Sequence, residues 1–211
     1  MYTLFGRPGW GSVLVEAQLA WLQLPYKVEE VDDLFESESA REKLRAINPV
    51  AQVPTLLMPG GAVMTESAAI TLHLADVTGS DALVPLAGEA ERGRFLRWLI
   101  FLVANIYPTF TFADDPRRFV TGEEAQRAFR QSVDSYERGL WRMVEETSAT
   151  RWFLGQRFSA LDIFIAVMTR WRPRRAWFAE HCPRLAAIAE RVDALPELSE
   201  VWRRNFPDEA G

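Results

Sequence analysis

The spacing of apolar residues changes near residue 80, and that change limits the chain to a two-part architecture. Ahead of it, short apolar runs alternate with helical ones: YTLF at 2–5, a helical run over 12–23, YKVEEV at 26–31 and a helical run over 37–46. PTLLM at 54–58, AVM at 62–64 and a helical run over 66–77 follow. The order is strand, helix, strand, helix, strand, strand, helix, with PGG at 59–61 as the hairpin turn between the last two strands. Two strands joined through a helix pair in parallel, with a right-handed crossover. Beyond TGSDALVPLAGE (78–89) every segment repeats its apolar residues at helical spacing: 89–112, 122–147, 159–171, 184–194 and 196–205. The expected fold class is α/β plus all-α: a small α/β domain over 1–78, a linker over 79–88 and a helical bundle over 89–211.

At 211 residues the chain is long enough to bury a sizeable core, and an apolar fraction of 48% with eight Trp and thirteen Phe excludes a disordered tail. A formal net charge of −5 gives no reason to expect nucleic acid as a partner. One cysteine, Cys182, excludes an intramolecular disulfide or a C-x-x-C pair, and His181 and Cys182 lack companions for a metal site, so no metal is expected. No basic segment precedes the first helical run, and the longest apolar run, near Leu99 to Ala104, falls short of a membrane span. The default is a soluble protein of a reducing, cytoplasmic compartment, with no membrane partner.

Two local stretches carry chemistry. GRPGWGS at 6–12 joins the first strand to the first helix; its glycines and proline permit a tight turn and leave Ser12 where a helix begins. Unpaired N–H groups and the positive end of the helix dipole gather there, favouring an anion, a thiolate or a capping oxygen. Ser12 is therefore either an N-cap or a donor to a bound group, and local sequence leaves both open. NPVAQVPTL at 48–56 places Pro54 at the start of a strand, where no ladder donor is needed. TESAAITLHLAD at 65–76 then sets Glu66 and Ser67 at the head of a helix, a second nest of free N–H groups, with Thr65 or Ser67 as a plain cap the alternative.

These residues resemble the cytosolic-type, bacterial glutathione S-transferase family along essentially the whole chain. Its pattern stands here as Asn48-Pro49, Ala51, Gln52-Val53-Pro54 and Glu66-Ser67-Ala68-Ala69-Ile70, with FSALDI at 158–163 and CPRLAAIAERVDALPEL at 182–198 in the second half. The resemblance implies a thioredoxin-like first domain, a cis bond before Pro54, and glutathione as co-substrate. Val53 would pair with the cysteinyl backbone of glutathione like an added strand. Glu66 and Ser67 would take the γ-glutamyl ammonium and carboxylate, and Gln52 the glycyl end. Its sulfur would then reach the start of the first helix, where Ser12, with the amides of Gly11 and Ser12, would stabilise the thiolate. Bacterial relatives often carry cysteine where Gly11 stands, which argues against mixed-disulfide chemistry and leaves Tyr2 or a backbone amide as alternatives to Ser12.

The electrophile pocket is expected from Trp10, Tyr107 and Phe110, on a helix kinked by Pro108, while Trp98, Trp141 and Trp202 fill the core. RWRPRR at 170–175 reads as a solvated helix end, His73 as a packed structural histidine, and Ser159 with Asp162 as a capping box that serves folding. A homodimer is also implied. The activity expected is transfer of glutathione to a small apolar electrophile, with related isomerase or peroxidase chemistry open. A non-catalytic or regulatory glutathione-binding protein is the alternative.

Overall fold

The structure, a computed structural model, describes residues 1–207. They form two compact units: Met1–Leu86 together with the chain from Val192 on, and Ala87–Arg191.

The first unit is built on a four-stranded sheet of order β2-β1-β3-β4: β1 (Tyr2–Gly6), β2 (Tyr26–Glu30), β3 (Thr55–Leu57) and β4 (Val63–Met64). β1 pairs parallel with β2 and antiparallel with β3, and β3 turns back on β4 through the expected hairpin, where Gly61 takes φ +87°. Three helices intervene: α1 (Ser12–Trp21), α2 (Glu38–Arg45) and α3 (Ser67–Thr78). The strand–helix order is the one the apolar pattern predicts. One face of the sheet closes a core of Tyr2, Leu4, Val15, Leu19, Leu56, Ile70 and Leu74, each under a tenth exposed.

A segment expected at the end of the bundle packs here instead. Leu198, Val201 and Trp202 are buried, and the helix that carries the last two, α10 (Ser199–Asn205), lies against α1. The apolar residues of 196–205 were legible as helical; which unit they cover was not.

The second unit is all-helical. α4 (Arg92–Phe101) runs through a wider π-helical turn (Leu102–Ile106) into α5 (Tyr107–Asp114). Pro108 has no N–H and its ring crowds the carbonyl four residues back, so the strain expected as a kink is taken up as a widened turn. This rod, Arg92–Asp114, is long and apolar enough by composition to cross a membrane, with mean hydropathy 1.4 over its most apolar window, unlike the short run read from sequence. Its apolar positions Phe95, Trp98, Leu99, Leu102, Ile106, Phe110 and Ala113 are buried in the bundle.

α6 (Glu123–Thr147), α7 (Ala160–Met168), an unanticipated α8 (Arg175–His181) and α9 (Pro183–Asp193) complete the bundle, and α10 (Ser199–Asn205) belongs to the first unit. All of α7 is buried, so it is the central helix. The Ser159–Asp162 capping box that opens it is present as expected. Trp98, Trp141 and Trp202 are buried, as the sequence predicts. Cys182 is fully buried ahead of α9, and burial pushes its thiol up to about 12, so it is not a ready nucleophile.

Candidate functional site

The register of the sheet brings three loops to one end of it. Phe5 of β1 lies opposite Thr55 of β3, so Pro54 and Val53 continue beside the turn that leaves β1 at Gly6. Met64 of β4 lies opposite Leu56, so Thr65 and Glu66 reach the same level on the next strand over. Strands stand about 4.8 Å apart, which sets the loops 6–12, 52–54 and 65–67 side by side within roughly 10 Å.

In the first loop Gly9 takes φ +76°, and Gly6 is required by contact: a Cβ there would stand 2.5 Å from Cβ and Oγ of Ser12. Ser12 is not the N-cap. That position belongs to Gly11, in helical conformation with no side-chain cap, and Ser12 is the first helical residue. Its hydroxyl, 3% exposed as a residue, accepts from Arg7 N–H at 3.1 Å and donates to the Arg7 carbonyl at 3.1 Å. The hydroxyl expected to face a thiolate thus already holds its own loop. By contrast the N–H groups of Gly11 and Ser12 make no hydrogen bond among the described residues. Tyr2, the other side chain considered, sits four residues up β1, about 13 Å along the strand, inside the apolar core. Trp10 is half-buried; it packs on Phe35 with centroids 5.0 Å apart, and the Arg7 guanidinium lies 5.6 Å from its ring.

The second loop contains the expected cis Val53–Pro54 bond. Its scaffold went unread. Asn48, 2% exposed, donates from Nδ2 to the Gln52 carbonyl at 3.0 Å and to Thr55 Oγ1 at 2.9 Å, while its Oδ1 accepts from Val50 N–H at 3.2 Å. Thr55 Oγ1 donates to the same Gln52 carbonyl at 2.7 Å, and Ala51 is held at φ +49°. So the Gln52 carbonyl is taken and its side chain is exposed, whereas the N–H and C=O of Val53 have no partner among the described residues.

In the third loop Glu66 is the N-cap of α3 at φ +65°, ψ +104°, a conformation costly for a residue with a side chain. Nothing in the sequence signals this strain. Glu66 is exposed, and neither the hydroxyl nor the N–H of the buried Ser67 makes a hydrogen bond among the described residues. Neither Thr65 nor Ser67 caps the helix. The site is therefore a row of unpaired backbone donors at the starts of α1 and α3, with one unpaired strand edge between them. Such a row suits an extended, anionic peptide.

Comparison with known proteins identifies the family. The profile of the family described as "Glutathione S-transferase, N-terminal domain" matches residues 15–77. The uncharacterized GST-like protein YncG of Escherichia coli K12 is 37% identical over 206 residues, 97% of this chain and 98% of that one. The chain belongs to the bacterial glutathione S-transferase family. Glutathione S-transferase GstA of Escherichia coli O157:H7 is 26% identical over 198 residues, 94% of this chain and 96% of that one. The structure of a sphingomonad glutathione S-transferase complexed with glutathione superposes with a TM-score of 0.78 at 25% identity, over 95% of this chain and 97% of that one. The fold is accordingly that of a glutathione transferase, with a thioredoxin-like first part.

The helical unit places the remaining candidates. Tyr107 is half-buried and Phe110 is 6% exposed; both stand edge-on to Trp171, with centroids 5.5 and 5.0 Å away. Phe110, expected to line a pocket, is thus packed under Trp171, a residue the sequence reading passed over. RWRPRR is not a solvated helix end. Arg170 is 6% exposed, Arg172 donates to Asp134 Oδ1 at 2.7 Å and pairs with Asp114 at 3.3 Å, and the Arg172–Pro173 bond is cis. His73 is half-buried on α3. Among the described residues no group of three or more His, Cys, Asp or Glu is arranged to hold a metal.

Proposed function

We propose that the protein binds glutathione, stabilises its thiolate and transfers it to a small, apolar electrophile. The observation that carries this is the row of unpaired polar groups on three adjacent loops: Gly11 and Ser12 N–H, Val53 N–H and C=O, and the Ser67 hydroxyl and N–H. In this reading the Ser67 hydroxyl and N–H donate to the γ-glutamyl carboxylate and Glu66 accepts from its ammonium. The cysteinyl backbone pairs with Val53, Pro54 fixes the turn of that edge, and the Gln52 side chain meets the glycyl end.

The sulfur then lies at the start of α1. There the amides of Gly11 and Ser12 and the helix dipole favour S⁻ over SH, a preference worth up to about 2 kcal/mol, or somewhat over one pKa unit. The thiol proton leaves to water, S⁻ forms the C–S bond, and a leaving group departs with its electron pair or a conjugated double bond takes up the charge. Trp10, a half-buried aromatic side chain of the loop that opens α1, is the proposed ring contact for the electrophile. Ser12 acts by fixing the loop through Arg7, which revises its assignment as the donor.

Calorimetric titration with glutathione, followed by turnover of aryl halides, peroxides and unsaturated ketones, tests the proposal. Ser67→Ala is expected to weaken glutathione binding by about 1.5–3 kcal/mol, tenfold or more, because it removes a charge-assisted hydrogen bond. Unchanged affinity would displace the γ-glutamyl group from α3. Ser12→Ala is expected to cost about 1–3 kcal/mol of stability and leave the bound thiol's titration in place. A rise of the thiol pKa with stability intact would return the donor role to the hydroxyl. Binding without turnover of any electrophile would move the protein to the regulatory alternative.

Pairing of two copies is proposed as well; the exposed Val63 and Val77, at 41% and 51%, leave the first unit with apolar side chains in water. Sedimentation at micromolar concentration is expected to give twice the 24.1 kDa chain mass, and a monomer mass would remove the proposal.

A further inference from the structure

We infer that Asn205, at the end of α10, is a positioning residue for the thiol-binding corner: it ties the chain's last helix to the loop that opens α1. The inference rests on the proposed binding of glutathione at that corner.

Asn205 is 6% exposed and uses both ends of its amide. Oδ1 accepts from Gly9 N–H at 3.3 Å, while Nδ2 donates to Glu16 Oε2 at 3.0 Å and to the Val201 carbonyl at 2.9 Å. The backbone carbonyl of Asn205 lies 3.6 Å from where a Cβ on Gly9 would stand, so the loop is in contact with α10 as well as bonded to it. Glu16 closes the network from α1. It is 2% exposed and forms an ion pair with Arg204, which also donates to the Tyr26 hydroxyl at 3.3 Å. Burial pushes the Glu16 carboxyl above its ordinary range, while Asn205 and Arg204 draw it back.

A buried carboxylate on the helix that begins at the thiol site is expensive unless something repays it. What repays it here is a side chain whose other end holds Gly9, two residues before the free Gly11 N–H. Moving Gly9 swings Trp10 and Gly11 with it, because Trp10 N–H donates to Arg7 at 3.1 Å and Val13 N–H to Trp10 at 3.0 Å, making the corner one hydrogen-bonded turn. A helix 189 residues away along the chain from Glu16 thereby fixes the direction of the amides proposed to face the sulfur.

The experiment reads the corner with and without glutathione. In the unaltered, glutathione-free protein, hydrogen exchange of the Gly9 N–H is expected to follow the opening of α10, reported by the Phe206 N–H that donates to the Trp202 carbonyl at 2.8 Å. Free exchange at Gly9 while α10 stays protected overturns the inference, whatever glutathione does. In Asn205→Ala, Gly9 exchange is expected to rise about tenfold, the bound thiol to titrate at higher pH, and kcat to fall about tenfold with KM for glutathione within about twofold, the effect of one buried hydrogen bond. Arg204→Ala breaks the Glu16 ion pair but leaves the Gly9 bond; it is expected to lower stability while Gly9 exchange and thiol titration hold. If Arg204→Ala shifts the thiol as much as Asn205→Ala does, the role is only structural and the inference fails. If wild-type protein shows no glutathione binding, the functional reading fails, and the exchange result still decides whether α10 holds the loop.

Discussion

Replacing Asp162 with alanine is expected to cost about 3–5 kcal/mol, enough to unfold much of the protein at ordinary temperature when total stability is about 5–15 kcal/mol. Asp162 and Ser159 are both fully buried, and the carboxylate accepts from Phe153 N–H at 2.7 Å, Ser159 N–H at 2.8 Å and the Ser159 hydroxyl at 3.1 Å. Alanine leaves all three donors without a partner at the head of the central helix.

The same burial pushes the Asp162 carboxyl up to about 7, against the pull of those hydrogen bonds. Its folded pKa therefore lies above the unfolded value of about 3.9, so the native state holds the proton more tightly. The corresponding stability is present below about pH 4 and is lost as pH rises through about 7, up to about 4 kcal/mol in all. Glu137, also raised to about 7 by burial, acts in the same direction. Guanidinium unfolding of wild type, Asp162→Ala and Asp162→Asn between pH 4.5 and 8 checks this. The asparagine variant is expected to lose the Asp162 part of the slope, and a slope as steep as wild type would show that the carboxyl stays ionised throughout.

Asn48→Ala carries the second large effect, because one buried amide shapes the entire turn before Pro54. Without it Val50 N–H loses its acceptor and the Gln52 carbonyl keeps only Thr55, so stability is expected to fall by about 2–3 kcal/mol. Glutathione affinity is expected to fall tenfold or more as well, since the proposed pairing edge at Val53 is no longer held in place. Thr55→Ser, which keeps the hydroxyl on the Gln52 carbonyl, is expected to retain most of both. Urea unfolding and calorimetry on the same samples separate the two losses; a stability loss with unchanged affinity would mean that Val53 is not the pairing edge.

How much of this was legible follows from the range over which each residue acts. Pro54 and Glu66-Ser67 announce themselves through short-range grammar, a proline at a strand start and a polar pair at a helix head, whereas Gln52 and Val53 stand out only through the family resemblance. Ser159 and Asp162 do so too, three residues apart on one helical turn. Asn48 stood inside the quoted motif, but its partners are set by how the loop folds back, which no periodicity encodes. Asn205 and Glu16 each looked like ordinary polar positions on an amphipathic helix, and only packing makes them meet. Arg172 looked solvated among arginines for the same reason; its acidic partners lie 38 and 58 residues earlier in the chain. The N–H groups of Gly11 and Ser12 were legible as free; that Ser12 would turn its hydroxyl back to Arg7 was not, since cap and first helical residue differ by one position.

The widened turn at Leu102–Ile106 has a consequence for how this fold can diverge. Each residue of an α-helix advances about 100° around the axis, and a π-helical turn carries one residue more than α-helical register needs. That single residue sets the rotational phase between α4, whose Phe95, Trp98 and Leu99 are buried, and α5, whose Tyr107 and Phe110 meet Trp171. One insertion or deletion within 102–106 would turn that side through about a quarter of a revolution while changing the rod's length by only about 1.5 Å.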